Sequence, residues 1–134
     1  MHKRWVLIGL LLILSLLAIG PAQAAAQEEL PVVHGYLFYS ETCPGCREVR
    51  DDAIPALYRQ YGPQLRLRAI EITSSEANYG WFQETIAAYE IGEEAGVPLL
   101  FVGDDWLLGE EEISARLPAL VQEYLAAGGV AYPD

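Results

Sequence analysis

The sequence predicts an α/β domain with a central mixed four-stranded sheet flanked by helices. Three observations predict it. Apolar, β-branched and aromatic runs alternate with stretches of helical periodicity in the order strand, helix, strand, helix, strand, strand, helix. Helical connections between the first strands call for parallel pairing, whereas the last two strands read as a hairpin, so the sheet is mixed. The two cysteines of the chain, Cys43 and Cys46, fall at the first strand–helix junction.

A leader precedes the domain. His2, Lys3 and Arg4 form a basic start, and 5–19 is apolar apart from Gly9 and Ser15. Gly20-Pro21 breaks the run, and Ala22-Gln23-Ala24 or Ala24-Ala25-Ala26 offers a small-residue cleavage site, the layout of a secretory signal peptide. An uncleaved membrane anchor is the alternative, although the run is short for a span of about 20 residues. We therefore divide the chain into a leader, 1–26, and a domain, 27–134, expected to face an extracytoplasmic space: periplasm, cell surface or medium. Such compartments permit disulfides.

The elements follow in order. The run 32–40 is rich in Val, Tyr, Phe and Leu and reads as a strand buried on both faces. His34 sits early in it and reads as a strand-end residue rather than a ligand or base. The spacing of Val49, Ala53, Ile54, Leu57 and Tyr61 predicts a helix over 47–61, with Asp51 and Asp52 off its apolar face. Pro55 is expected to kink or interrupt it, and Gly62-Pro63 to end it. A second strand covers 65–72. Thr73 to Ser75 supply hydroxyl caps for a helix over 76–89, with Trp81, Phe82, Ile86 and Tyr89 toward the core. After a loop at 92–96, strands at 99–102 and 106–108 flank the turn Gly103-Asp104-Asp105. The last helix runs over 110–127, with three glutamates in its first turn, an interruption expected at Pro118 and a stop at Gly128-Gly129. The tail to Asp134 is expected to be loose.

Charge narrows the partners. The whole chain carries a formal −11; outside the leader, six arginines face 19 acids, a formal −13, with no lysine. Such a domain repels phosphate backbones, so nucleic acid is not an expected partner.

The chemistry concentrates in Thr42-Cys43-Pro44-Gly45-Cys46. Cys43 falls where a helix begins, and unpaired backbone N–H groups there favour a thiolate. Pro44 suits the first helical turn because its missing N–H would be unpaired anyway. Two cysteines so spaced can alternate between dithiol and disulfide. Other uses of the pair rank lower. As a purely structural disulfide it closes a tiny loop and restrains the unfolded chain little. A zinc site needs four ligands, and beyond the two cysteines only His34 is at hand. Covalent haem attachment wants histidine after the second cysteine, where Arg47 stands.

Cys43-Pro44-Gly45-Cys46 after a first strand, together with Gly96-Val97-Pro98 before the hairpin, resembles the thioredoxin family over about 32–125. The stretches 38–44 and 96–104 are similar to small exported bacterial thioredoxin-like proteins, and to the thioredoxin-like domain accompanying vitamin K epoxide reductase homologues. The resemblance implies a thioredoxin-like fold and a protein-disulfide oxidoreductase. Cys43 would be the nucleophile and Cys46 the resolving thiol. Pro98 would be cis, with Val97 pairing the backbone of a bound peptide. It implies no cofactor and no metal. Its partners would be protein thiols and disulfides and a redox partner, which can lie in the membrane, served by a monomer whose own membrane contact is limited to an uncleaved leader. Thr42 stands where thioredoxins proper have tryptophan, Leu37 where they bury an aspartate, and Gly45 where strong periplasmic oxidants have histidine. These departures leave the direction of electron flow open. A thioredoxin-fold binding module with a redox-inert disulfide is the alternative function.

Overall fold

The structure, a computed structural model, describes residues 29–133. The leader 1–26, Gln27, Glu28 and Asp134 lie outside the described residues.

Strand β1, Val33–Tyr39, leads through a four-residue turn into α1, Pro44–Glu48. Without a break the chain passes through a π-helical segment, Val49–Ala53, into α2, Ile54–Tyr61. A 3₁₀ turn, Gly62–Gln64, opens β2, Leu65–Glu71; then come α3, Glu76–Ala88, strands β3, Leu99–Val102, and β4, Asp105–Leu108, and finally α4, Glu110–Ala126. The sheet order is β2-β1-β3-β4. β1 runs parallel to β2 and antiparallel to β3, and β3 runs antiparallel to β4, so the sheet is mixed as expected.

Alternation along β1 and β3 divides the core into two layers. Leu37 and Leu100 point to one face, where they meet Val49, Leu57, Ile113 and Leu117 under α1, α2 and α4. Phe38 and Phe101 point to the other, where they meet Phe82 and Ile91 at and beyond α3. β1 is thus covered on both sides, which is why its sequence reads as near-continuous apolar residues. Gly35 permits the close approach of β3, since a Cβ there would run into the Phe101 carbonyl.

The regular α-helix is interrupted just before Pro55, as expected: a π-helical turn, in which Ile54 N–H donates to the Val49 carbonyl, widens the backbone where the proline ring would meet the carbonyl of residue 51. Other expectations need correction. Pro118 does not interrupt α4. The carbonyl that loses its partner belongs to Ser114, which is exposed, so water can satisfy it. Trp81 is not fully in the core: it stays 37% exposed, its ring edge-on to Tyr36 and Phe38.

The tail is not loose. Gly128 and Gly129 adopt φ of 102° and 90°, which turns the chain back. Val130 N–H then donates to the Val32 carbonyl at 2.9 Å, and His34 N–H to the Val130 carbonyl at 3.1 Å. The His34 ring adds a bond from Nδ1 to the same carbonyl at 2.9 Å, Tyr132 stacks on Tyr36, and the Arg68 guanidinium lies 4.4 Å from the Tyr132 ring centroid. His34 therefore has a structural post at the end of β1 remote from the cysteines.

Candidate functional site

The turn between β1 and α1 is built on Ser40, the one buried polar side chain among the described residues. Its Oγ shares a hydrogen bond with Thr42 Oγ1 at 3.0 Å, and its carbonyl accepts from Cys43 N–H at 3.1 Å. A serine with a hydroxyl neighbour two residues on satisfies a tight turn locally. Cys43 then takes the N-cap position, with extended backbone, and Pro44 is the first helical residue. The cap is sulfur: Cys46 N–H points at Cys43 Sγ at 3.1 Å. This is the orphan donor that a hydroxyl or carboxylate usually satisfies.

Cys43 and Cys46 are joined in a disulfide, with Cα atoms 5.2 Å apart. Their exposure differs. Cys46 is 1% exposed and sits in the core, whereas Cys43 is only part-buried. The Val97 carbonyl oxygen lies 3.5 Å from Cys43 Sγ. An oxidised sulfur has no proton to donate, so this is a contact; a thiol at Cys43 could use that carbonyl as an acceptor. The Val97–Pro98 peptide bond is cis, and Pro98 is buried with Val97 half-buried beside it. The loop is fastened from behind by Gly109 N–H, which donates to the Pro98 carbonyl at 2.8 Å. Cys43, Cys46, Val97 and Pro98, singled out from sequence, thus converge, with Thr42, Pro44 and Gly45 framing the disulfide.

Four further residues shape the site and were not expected. Ser40 holds the turn. Glu71, at the end of β2, accepts from Glu41 N–H at 3.3 Å and from Thr73 Oγ1 at 2.8 Å; the Thr73 hydroxyl chiefly holds its carboxyl below the usual range. Arg50 reaches Glu41 at 2.8 Å and Asp51 at 2.9 Å, and lies over the Tyr39 ring. The bonds to Asp51 and Glu41 raise the arginine further above its already high range, and Arg50 lowers the Asp51 carboxyl in turn. Glu110, at the start of α4, borders Gly45: an ideal Cβ on Gly45 would lie 3.1 Å from its Oε2 and 3.9 Å from Pro98 Cδ. The Ser-x-Thr spacing is a local signal for Ser40. Nothing local pairs residue 45 with residue 110.

No family model matches the chain, and no curated protein does. Among solved structures, the chain is similar to a buckwheat glutaredoxin in complex with glutathione, at 18% identity and TM-score 0.48 over 74% of this chain and 83% of that one. It is similar to oxidised glutaredoxin 2 from Chlamydomonas reinhardtii, at 17% identity and TM-score 0.45 over 71% and 80% of the two chains. A malarial protein matches at 14% identity and TM-score 0.46 over 69% and 96%. The chain folds as a mixed four-stranded sheet, order β2-β1-β3-β4, flanked by helices, the architecture expected from the sequence. Its cysteine pair stands where a strand of that fold gives way to a helix, in the geometry of a disulfide.

Proposed function

We propose that this protein is an exported thiol–disulfide oxidoreductase that exchanges disulfides with protein substrates through Cys43 and Cys46. The observation that carries the reading is the asymmetry of the pair: Cys43 is part-exposed and its sulfur is capped by a backbone N–H, whereas Cys46 is sealed in the core. In the reducing direction the Cys43 thiolate attacks one sulfur of a client disulfide. The client's other sulfur leaves as a thiolate and takes a proton from water. The resulting mixed disulfide is then attacked at Cys43 by the Cys46 thiolate, which releases the second client thiol and leaves the Cys43–Cys46 disulfide. The client gains two electrons and the pair loses them; the same steps reversed oxidise a client dithiol.

The Cys46 N–H favours the thiolate of Cys43 over its thiol, because a backbone dipole aimed at sulfur stabilises negative charge. Val97 and Pro98 hold the client strand beside Cys43, with Val97 offering backbone pairing. The leader 1–26 places the domain outside the cytoplasm, where a second redox protein resets the pair.

The test is the midpoint potential of the full-length chain in defined thiol–disulfide buffers. A value between about −120 and −270 mV, the range of working exchange catalysts, supports the reading, and one well below about −300 mV marks an inert structural disulfide and a binding module. The same number separates an oxidant, at the upper end, from a reductant at the lower.

A further inference from the structure

A trough of 460 Å³ runs between the first-layer helices, walled by α2 and α4, with Glu48 of α1 and Glu110 at the start of α4 on its edge. Its floor is apolar: Ala56 and Leu57 on one wall, Ile113 and Pro118 on the other. Its rim is acidic: Glu48, Asp52 and Glu110 line it, and no arginine does. The Glu110 end reaches the cysteine turn, since Glu110 borders Gly45, which lies between the two cysteines.

The rim carboxylates are in no ion pair among the described residues. Among the described residues the ion pairs engage Glu41, Asp51 and Glu112, leaving Glu48, Asp52 and Glu110 without a cation. Arg50 is committed to Glu41 and Asp51, and Arg116 to Glu112. An apolar floor between like charges suits a guest that supplies both an apolar side chain and positive charge. A second copy of this chain does not, because two domains of formal −13 repel. From Glu48 to Gln60 the wall rises about 18 Å at 1.5 Å per helical residue. An extended segment of about five residues fills that length at 3.3 Å each.

We propose that this trough docks the client: an extended stretch of about five residues beside the client's cysteine, carrying Arg or Lys around an apolar side chain. The apolar group enters between Ala56 and Pro118, and the cations meet Glu48, Asp52 and Glu110. The proposal deepens the exchange reading, on which it rests for the nature of the guest, by naming the class of client. Acidic clients are rejected by the same rim.

The test measures binding apart from exchange. Two labelled peptides, each with serine in place of the cysteine, carry Arg-Leu-Arg or Glu-Leu-Glu beside it. Their Kd values for the oxidised full-length chain are read by fluorescence anisotropy. The arginine peptide should bind at least about tenfold tighter at low salt, with the gap closing severalfold at high ionic strength. The E48Q/D52N/E110Q variant should shrink the gap to about threefold or less, whereas E90Q/E93Q/E94Q, with the same change in charge elsewhere, should keep most of it. Ala56→Trp, which fills the trough and keeps every charge, should weaken the arginine peptide about tenfold. Equal Kd values for the two peptides, or an equal loss from the remote triple, would overturn the trough. Selective binding in a chain that exchanges no thiol would uphold the trough and sink the oxidoreductase instead.

Discussion

The two ends of β1 are finished in different ways. At its C-terminal end the strand delivers the chain into the Ser40 turn, and the part-exposed sulfur of Cys43 faces a loop tied down from behind by one bond, Gly109 to Pro98. At its N-terminal end the strand is closed over. Val130 pairs with it, His34 adds a side-chain bond, and Tyr132 stacks on Tyr36 under the Arg68 guanidinium. The nearby β3–β4 turn is buttressed by Tyr124, which donates to Asp105 at 2.8 Å, and by Tyr89, which donates to the Gly103 carbonyl at 2.8 Å. The comparison teaches a division of labour: the end that carries the disulfide is lightly roofed, and the stiffness that holds it in shape is built at the other end.

Substitutions can break that division or sharpen it. The largest effect belongs to the open end. Cys43→Ser should lower exchange with a model disulfide by at least about a thousandfold while costing no more than about 2 kcal/mol in denaturant unfolding, since the loop it opens is short. At the closed end the sizes should invert. Gly129→Ala places a Cβ against the Val32 backbone at a φ of 90° and should cost about 2 kcal/mol of stability, with exchange rates within about twofold of the parent. A large loss of exchange from this variant would show that the ends are coupled.

Tyr124→Phe should cost about 1 kcal/mol by removing the bond to Asp105. It should also change the alkaline limb. Burial, and then the bond to Asp105, raise the Tyr124 hydroxyl above 10.0, so the native state holds its proton more tightly than the unfolded chain does. That stability is present below pH 10.0 and is lost as pH rises through the folded value. The phenylalanine variant should lack this loss, read as a flatter fall in melting temperature above pH 10. The smallest effect is expected at Glu112, near the open end. The Leu108 N–H and then Arg116 hold its carboxyl below 4.5, so its contribution is present above pH 4.5 and is lost as pH falls through the lower folded value. Glu112→Gln should cost a few tenths of a kcal/mol near neutrality, and the difference from the parent should vanish in acid.

Much of this layout was legible in the sequence, because it is written in short-range pattern. β3 has the predicted bounds, and β1, β2, β4, α3 and α4 match to within a residue, since each begins and ends at a change of apolar period or at a Gly or Pro. The cysteine pair was legible because no other cysteine competes for its meaning. The errors share a cause. Pro118 reads as a break from local rules, yet packing of Leu117 and Val121 holds α4 together across it. The tail reads as loose because Val130 and Tyr132 gain their partners only from β1 and β2. Arg50 reaches Glu41 only after the turn at Ser40 brings them together, and Glu110 meets Gly45 across 64 intervening positions. Contacts of that kind leave no trace in spacing.

The crowding at Gly45 has one more consequence. Any side chain at position 45 would press on Glu110, which must give way by a few tenths of an ångström even for a methyl group. Positions 45 and 110 are therefore free to vary only as a couple. A lineage of this protein that places a larger residue at the first should show a compensating loss of bulk at the second.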